Sequence, residues 1–300
     1  MNPRSVVVTG AGRGIGLAIT LELAHSGFDV IGTARTEDGA RALRAAVERS
    51  GAAVRTVLLD VADATSCVRA FTEIAMLTDG GPWAVVNNAG FAQPGAVEDV
   101  GDEEVRRQLE TNLVAPARIA RLVLPAMRDR RAGRIVNVSS VAGRVSLPML
   151  GWYCASKQGL EAVTDALRME TEPFGVKVAL VEPGSCATGF WATGAGLLPG
   201  EHASAYVEQY EAAEEALRGC RDLPGPRPVA RAVYRALTAR RPLPRYVVGG
   251  SARSTAVLDA VAPTAASDWA KQLATGLRAA PPRVGGALAR LRGGRAARRR

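Results

Sequence analysis

The chain has little of what metal centres and imidazole catalysts are made from. Only two histidines, His25 and His202, occur in 300 residues, which leaves little material for a histidine triad or a zinc site. The four cysteines, at positions 67, 154, 186 and 220, form no CxxC pair and no metal-ligand spacing. They read as reduced thiols of a cytosolic protein rather than as a disulfide framework. There is no uninterrupted run of 18 apolar residues, so no membrane-spanning helix is expected. The first strand starts by about residue 5, which leaves no room for a secretory signal. No internal repeat is evident.

Acidic residues are scarce at one end. The formal net charge is +9, but residues 251–300 hold ten basic and two acidic side chains, a net +8 that leaves +1 for the first 250 residues. The charge therefore describes a tail, and it is poor support for nucleic-acid binding by the body. Residues 280–300 hold seven arginines and no acid. They read first as a solvated, disordered terminus. A basic interfacial helix visiting an anionic membrane is the second reading. Nucleic-acid contact is the third, because no aromatic interleaving accompanies the arginines.

What is present is a long alternation of apolar strands and helical stretches, with 47% hydrophobic residues to fill a core. Strands are expected at 5–9, 29–33, 54–59, 83–87, 134–139, 176–181 and 245–248. Helices are expected near 15–26, 37–50, 64–79, 102–129, 152–173 and 227–240. Continuous Val/Ile/Leu runs, rather than alternation, imply strands covered on both faces. The expected fold is α/β, a doubly wound parallel sheet with ligand at the carboxyl ends of its strands. Residues 1–250 form one catalytic domain on this reading. Within it, 185–226 is Gly/Pro-rich around a helical patch at 203–218, as suits a mobile cover over a substrate. A helical extension follows at 251–279, where Trp269, Leu273 and Leu277 recur every four residues.

Two features carry chemistry. Tyr153 and Lys157 are four residues apart, on one face of a helix. An ammonium there favours ionised phenol, so the Tyr153 pKa is expected to fall from its ordinary value of about 10, making Tyr153 a proton donor to a substrate oxygen. Ser140 precedes it by 13 residues, at the end of the apolar run from Arg134. The second feature is the run Gly10-Ala-Gly-Arg13-Gly14-Ile15-Gly16, between a β-branched strand and a periodic helix. Glycines there permit a tight turn and close backbone approach to phosphate, and the helix N-terminus supplies amide donors.

In this order, Thr9 to Gly16 as TGxxxGxG, Asn87-Asn88-Ala89-Gly90, Ser140, and Tyr153 with Lys157, the chain resembles the short-chain dehydrogenase/reductase family. Pro183-Gly184 and Thr188 extend the match, which covers roughly residues 4–250. The resemblance implies a Rossmann-like sheet of seven parallel strands with helices on both faces, plus the basic C-terminal extension as a departure. It implies an NAD(P)-dependent oxidoreductase with Ser140, Tyr153 and Lys157 as catalytic residues. It also implies Asn112 as the support of a water relay to Lys157. Cofactor contacts carried over are Gly10, Arg13, Gly14, Ile15 and Gly16 in the turn, Asp60 and Val61 at the adenine, and Asn88, Ala89 and Gly90 at the adenine ribose. Pro183, Gly184 and Thr188 should line the nicotinamide, with Tyr153 and Lys157 beside it and Lys157 on the ribose hydroxyls. Asp60 also reads as a helix N-cap, and Ser139 competes with Ser140 as the catalytic serine.

Charge decides the cofactor expectation. The position where the family's NAD-binding members carry an acid is Ala34, followed by Arg35, and Arg13 sits in the glycine turn. Two guanidiniums without a nearby acid suit a 2′-phosphate, so NADP(H) is expected over NAD(H). Arg35 also reads as a solvated residue at a helix entry. Leu147 to Trp152, Phe190-Trp191 and Leu197-Leu198 suggest an apolar pocket. The stretch from Tyr153 to Lys157 with Arg245-Tyr-Val-Val-Gly249 resembles the steroid, retinol and lipophilic-alcohol branch, which implies a hydrophobic ketone, aldehyde or alcohol as substrate. The family also implies a homodimer or homotetramer through the helices at 102–129 and 152–173. Two other classes stand beside this reading: a dinucleotide-binding redox sensor or scaffold without turnover, and a membrane-associated adaptor working through the tail. The complete set of Ser140, Tyr153 and Lys157 argues against the first, and the small charge of the body against the second.

Overall fold

The computed structural model describes residues 4–187, 193–194, 196–198, 204–211 and 223–277. Thr188, Phe190, Trp191, half of the helical patch at 203–218 and the arginines of 280–300 lie outside the described residues.

The seven expected strands form. They are β1 (Ser5–Val8), β2 (Asp29–Ala34), β3 (Val54–Leu58), β4 (Ala84–Asn87), β5 (Gly133–Val138), β6 (Val176–Pro183) and β7 (Arg245–Val248). All pair in parallel, in the order β3-β2-β1-β4-β5-β6-β7. Between them run α1 (Gly14–His25), α2 (Glu37–Ser50), α3 (Ala64–Leu77), α4 (Asp102–Leu109), α5 (Ala115–Asp129), α6 (Gly151–Thr171) and α7 (Arg227–Thr238), and after β7 come α8 (Gly250–Val261) and α9 (Thr264–Ala274). The strand order reverses between β1 and β4. Connections leave that point in opposite directions and open a crevice at the carboxyl ends.

The reason for continuous apolar strands is visible in the packing. Val6, Val8, Val30, Ala84, Val86, Val136 and Val181 face α1 and α7, with Ile19, Leu23, Val229, Val233 and Leu237 packed onto them. Their neighbours Val7, Ile31, Val57, Val85, Ile135 and Val178 face the other way, onto Phe71, Ile74, Ile119, Val123 and Met127 of α3 and α5. Successive side chains alternate across a strand, so both sets must be apolar when both faces are covered. Each such fully buried aliphatic side chain stabilises the fold by about 1.5–3 kcal/mol. The edge strands β3 and β7 are less buried than the central four-residue strands β1 and β4.

The helix expected at 102–129 forms, with one added feature: α4 passes through a turn of π-helix at Glu110–Val114 into α5. Inserting an extra residue into the helical ladder re-aims the side chains on that turn, and such turns recur at functional sites. The residue it carries inward is Asn112, which is buried. In α9, Trp269 keeps 45% of its surface exposed and Leu277 lies past the helix end, so the expected apolar stripe is not buried in the core. No helix among the described residues is long and apolar enough to cross a membrane.

Candidate active site

The carboxyl ends of β1, β4, β5 and β6 bring the sequence motifs to one place. At β1, Gly10 adopts φ +65° and Gly14 φ +57°, backbone angles that side chains resist. Gly16 is required for a different reason. A β-carbon on it would stand 2.1 Å from the Gly10 carbonyl oxygen and 2.6 Å from Asn88 Nδ2. The first turn of α1 therefore lies directly on the loop, with its free amides at the crevice. Thr9 and Asn88 lock this arrangement. The Thr9 hydroxyl accepts from the amides of Asn88 (2.9 Å) and Ala89 (3.0 Å), and Asn88 Nδ2 donates to the Thr9 carbonyl (2.9 Å) and the Gly10 carbonyl (3.3 Å). Thr9 entered the sequence reading only as a motif letter; its hydroxyl, 1% exposed in the fold, ties β1 to β4.

Arg13 is the extended residue that opens α1, and Arg35 directly follows β2; both are exposed. Ala34 is buried at the strand end. Asp60 is not a helix cap. Asp63 caps α3 by accepting from Thr65 N at 2.8 Å, while Asp60 Oδ1 accepts from Ala62 N at 3.0 Å and shapes the loop after β3. Val61, next to it, is buried and its carbonyl accepts from Arg118 at 3.0 Å. Gly90 leaves space where a β-carbon would stand 3.0 Å from Asn112 Oδ1 and 3.7 Å from Lys157 Nζ. Pro183 ends β6. Gly184 N donates to the Val248 carbonyl at 2.9 Å, and its α-carbon faces Ala252 of α8.

On the other side of the crevice stand the side chains with acid–base chemistry. Tyr153 and Lys157, one turn apart on α6, are 4% and 5% exposed. Ser140 caps the short turn after β5, accepting from Ala142 N at 3.2 Å, and its side chain hydrogen-bonds the Tyr153 phenol. Ser139, the competing serine, is buried and faces Gly143 and Glu161 instead. Lys157 Nζ donates to the Val138 carbonyl at 3.0 Å and lies 6.0 Å from the centre of the Tyr153 ring. Asn112 is held from both sides: its Oδ1 accepts from Phe91 N (3.1 Å), and its Nδ2 donates to the Phe91 carbonyl (2.9 Å) and Ser156 Oγ (3.0 Å). Ser156 Oγ in turn donates to the Tyr153 carbonyl at 2.7 Å. Ala92, Ala142, Leu147, Leu150 and Cys154 form an apolar wall around the phenol.

The electrostatics differ from the sequence expectation. Burial pushes the Tyr153 pKa up to about 12, against the smaller opposing effect of its Ser140 hydrogen bond. Burial likewise pushes Lys157 down to about 8, opposed by the charge of Glu161. A lone i,i+4 spacing predicts mutual stabilisation of phenolate and ammonium. In the fold both groups lose water first, and that loss disfavours each charged form. The lysine donates to the Val138 carbonyl.

The described parts of the stretch expected to be a cover are tied to the body by residues without any sequence signal. The Tyr210 hydroxyl donates to Asp99 Oδ2 (2.6 Å) and accepts from Ala96 N (2.9 Å), while Ser204 Oγ donates to the same carboxylate oxygen (2.6 Å). Gln93 Nε2 donates to the Leu197 carbonyl. Leu197 and Leu198 are half-buried. Among the described residues no group of His, Cys, Asp and Glu side chains is arranged to hold a metal.

Comparison with known proteins agrees with this geometry. The short chain dehydrogenase family model matches residues 4–195. An uncharacterized oxidoreductase, YusZ, of Bacillus subtilis (strain 168) is 39% identical over 201 residues, 64% of this chain and 69% of that protein. Retinol dehydrogenase 16 of Mus musculus is 39% identical over 63% of this chain and 59% of its own length. Among solved structures, a short-chain dehydrogenase from Streptomyces avermitilis superposes with TM-score 0.75 at 32% identity, over 90% of this chain and 96% of that one. A metagenomic short-chain oxidoreductase in complex with NADP matches with TM-score 0.65 at 26% identity, over 82% and 96% of the two chains. A Burkholderia phymatum short-chain dehydrogenase/reductase in complex with NAD matches with TM-score 0.75 at 26% identity, over 86% and 93%.

Proposed function

The chain belongs to the short-chain dehydrogenase family and is an oxidoreductase; from that premise we propose that it interconverts a hydrophobic ketone or aldehyde and its alcohol with NADP(H). The observation that carries the proposal is the Ser140–Tyr153–Lys157 set, a buried tyrosine and lysine with the half-buried serine bonded to the phenol, at the same carboxyl ends of the sheet as the glycine cradle. The cradle fits a dinucleotide. Gly16 lets α1 start against the loop with its amides free, and Gly90 leaves room beside Asn112 and Lys157.

When bound, the cofactor would supply the hydride for the carbonyl carbon; the remaining roles fall to this chain's residues. Tyr153 gives its phenolic proton to the carbonyl oxygen, the step for which its raised pKa keeps it protonated at neutral pH. Ser140 donates a hydrogen bond to the same oxygen and orients it. Lys157 holds the ribose hydroxyls and the positive charge that offsets the phenolate left behind. Asn112 fixes the Phe91 backbone and Ser156, and through them the floor on which the lysine and its water relay rest. A bound dinucleotide would have its pyrophosphate at Gly10, Gly14, Ile15 and Gly16, with Arg13 beside it, and its adenosine at Asp60, Val61, Asn88, Ala89 and Gly90. Pro183 and Gly184 would line the nicotinamide side, where the sequence motif also puts Thr188.

NADP(H) is favoured by the exposed guanidiniums of Arg13 and Arg35 beside Ala34, where a 2′-phosphate finds cations and no acid. A hydrophobic substrate is favoured by the apolar wall around Tyr153, and by the retinol and hydroxysteroid dehydrogenases among the relatives. Residues 1–250 act as one domain with 185–226 as its cover. Pairing of copies through α5 and α6 suits the outward face of α6, where Val163 and Met169 are exposed. Reduced, buried thiols at Cys67, Cys154 and Cys186 suit a cytoplasmic protein.

The test is a panel of aromatic, steroidal and aliphatic carbonyls with NADPH, and of the matching alcohols with NADP+. The expected result is turnover of lipophilic members and a kcat/KM higher with NADPH than with NADH. Equal or better use of NADH would reverse the cofactor assignment.

A further inference from the structure

Beneath Lys157 the helix α6 carries a second carboxylate that this mechanism does not use. Glu161 is one turn beyond Lys157, so the two side chains leave the same helical face. It is 6% exposed. Every element around it contributes a charged or polar group. Arg245 of β7 donates to Glu161 Oε2 at 3.1 Å and also reaches Asp165, one turn farther along α6, and Glu182 of β6. Glu182 is fully buried and paired with Arg144, from the turn after Ser140. From the end of β5 Ser139 Oγ stands beside Glu161 Oε1 at the Gly143 α-carbon, and neither atom meets any other partner among the described residues.

The cluster holds three carboxylates, Glu161, Asp165 and Glu182, against two guanidiniums, Arg144 and Arg245. Asp165 also draws a third guanidinium, Arg168, from farther along α6. Lys157 is the only ammonium at the top of this network, and Glu161 is the acid nearest to it along α6. Arg144 pairs with Glu182, and Arg245 is divided among Glu161, Asp165 and Glu182. Arg245 therefore reaches one oxygen of Glu161, and among the described residues no guanidinium is paired with the other, Oε1.

We propose that Glu161 is a positioning residue: its carboxylate, sealed inside the protein one turn from Lys157, keeps the lysine charged and so sets the pH range over which Tyr153 is reprotonated. This rests on the oxidoreductase reading of the Tyr153–Lys157 pair. The physical reason is that Lys157 is buried away from water and its hydrogen bond among the described residues goes to the neutral Val138 carbonyl. A neutral dipole alone holds a buried ammonium poorly, and a nearby carboxylate makes up part of the lost hydration. Burial and Glu182 raise the Glu161 pKa, while the neighbouring Ser139 hydroxyl and Arg245 lower it. Its ionised form therefore depends on the same network that seals it.

The experiment is a titration that does not need turnover. The full chain contains three lysines, Lys157, Lys177 and Lys271, so the unliganded protein labelled with 13C at lysine Cε gives three resolvable signals, with Lys157→Arg assigning one. The wild-type Lys157 midpoint should lie near pH 8. In Glu161→Gln it should fall by about one pH unit, and the high-pH limb of kcat for carbonyl reduction should move down with it. Glu161→Asp, which keeps the charge but withdraws it by one methylene, should lower the midpoint by less; it serves on its own if the Gln variant does not fold. An unmoved Lys157 midpoint in the variants would overturn the proposal, and so would a pH–kcat profile that shifts while the lysine does not. Absence of turnover with every carbonyl would count against the oxidoreductase reading alone, and the lysine titration would still decide the role of Glu161.

Discussion

The two walls of the crevice are built on opposite principles. The wall at Gly10–Gly16 is backbone: its geometry depends on missing side chains, and the arginines beside it, Arg13 and Arg35, stand in solvent. The wall at Ser140, Tyr153 and Lys157 is side chain, sealed by β5, β6 and the apolar turn before α6. A cradle for phosphates needs open amides and exposed cations. A proton donor needs a tuned pKa, and burial is the strongest means of tuning one. The two halves of one site are therefore expected to fail in different ways when altered.

The sharpest separation should come from Tyr153→Phe. It removes the proton donor while leaving the wall intact, and kcat is expected to fall by about 10²–10⁴-fold. Nucleotide affinity, measured by the quenching or enhancement of NADPH fluorescence, should stay within about twofold. Near-full turnover in that variant would dissolve the contrast between the walls.

Next in size is the pH dependence of stability. Lys157 has a folded value of about 8, below its ordinary 10.5. Unfolding therefore takes up a proton between those values, and stability rises with pH across that window. Tyr153 has the opposite sign: its folded value of about 12 lies above the ordinary 10. Its contribution is present below pH 10 and is lost as pH rises to 12. Lys157→Met should remove the rise between pH 8 and 10.5, a difference on the order of 3 kcal/mol. Urea midpoints measured from pH 7 to 10 would show it, and parallel profiles for the two proteins would refute it.

On the backbone wall, Gly16→Ala places a methyl against the Gly10 carbonyl. Overpacking of this kind costs about 1–3 kcal/mol, which should weaken NADPH binding by about 10–100-fold while the Lys157 titration stays where it is. Gly12→Ala is the control, because its β-carbon would stand 3.4 Å from the nearest atom, the Gly39 carbonyl oxygen. The smallest effect is expected from Arg35→Ala. It removes one solvent-exposed charge-assisted contact, worth about 1.5 kcal/mol, so the Kd for NADPH should rise by about tenfold and that for NADH should hardly change. Equal loss for both cofactors would make Arg35 a solvated helix-entry residue.

Legibility followed the same division. The glycine turn was readable because a missing β-carbon is a property of the residue itself. Gly10, Gly14 and Gly16 mean in the fold what they mean in the chain. The strands were readable because both faces of a doubly covered sheet must be apolar, which Val6-Val7-Val8 shows without ambiguity. The π-turn at Asn112 was not readable, since it depends on how α4 and α5 pack and no residue type announces it. Tyr210 and Asp99 were invisible for a related reason. A hydrogen bond across 111 positions leaves no local pattern.

The sequence by itself determined the apolar strands, the oxidoreductase class and which tyrosine to propose as proton donor, because spacing along a helix and the absence of side chains in a turn are local facts. Only the tertiary structure decided the charge state of that donor. The spacing of Tyr153 and Lys157 predicts attraction between two ions. Burial by remote segments removes the water both would need, raises one pKa and lowers the other, and leaves Glu161, Arg245 and Glu182 to settle where the positive charge rests. Desolvation is summed over everything packed around a group, and no stretch of sequence contains that sum.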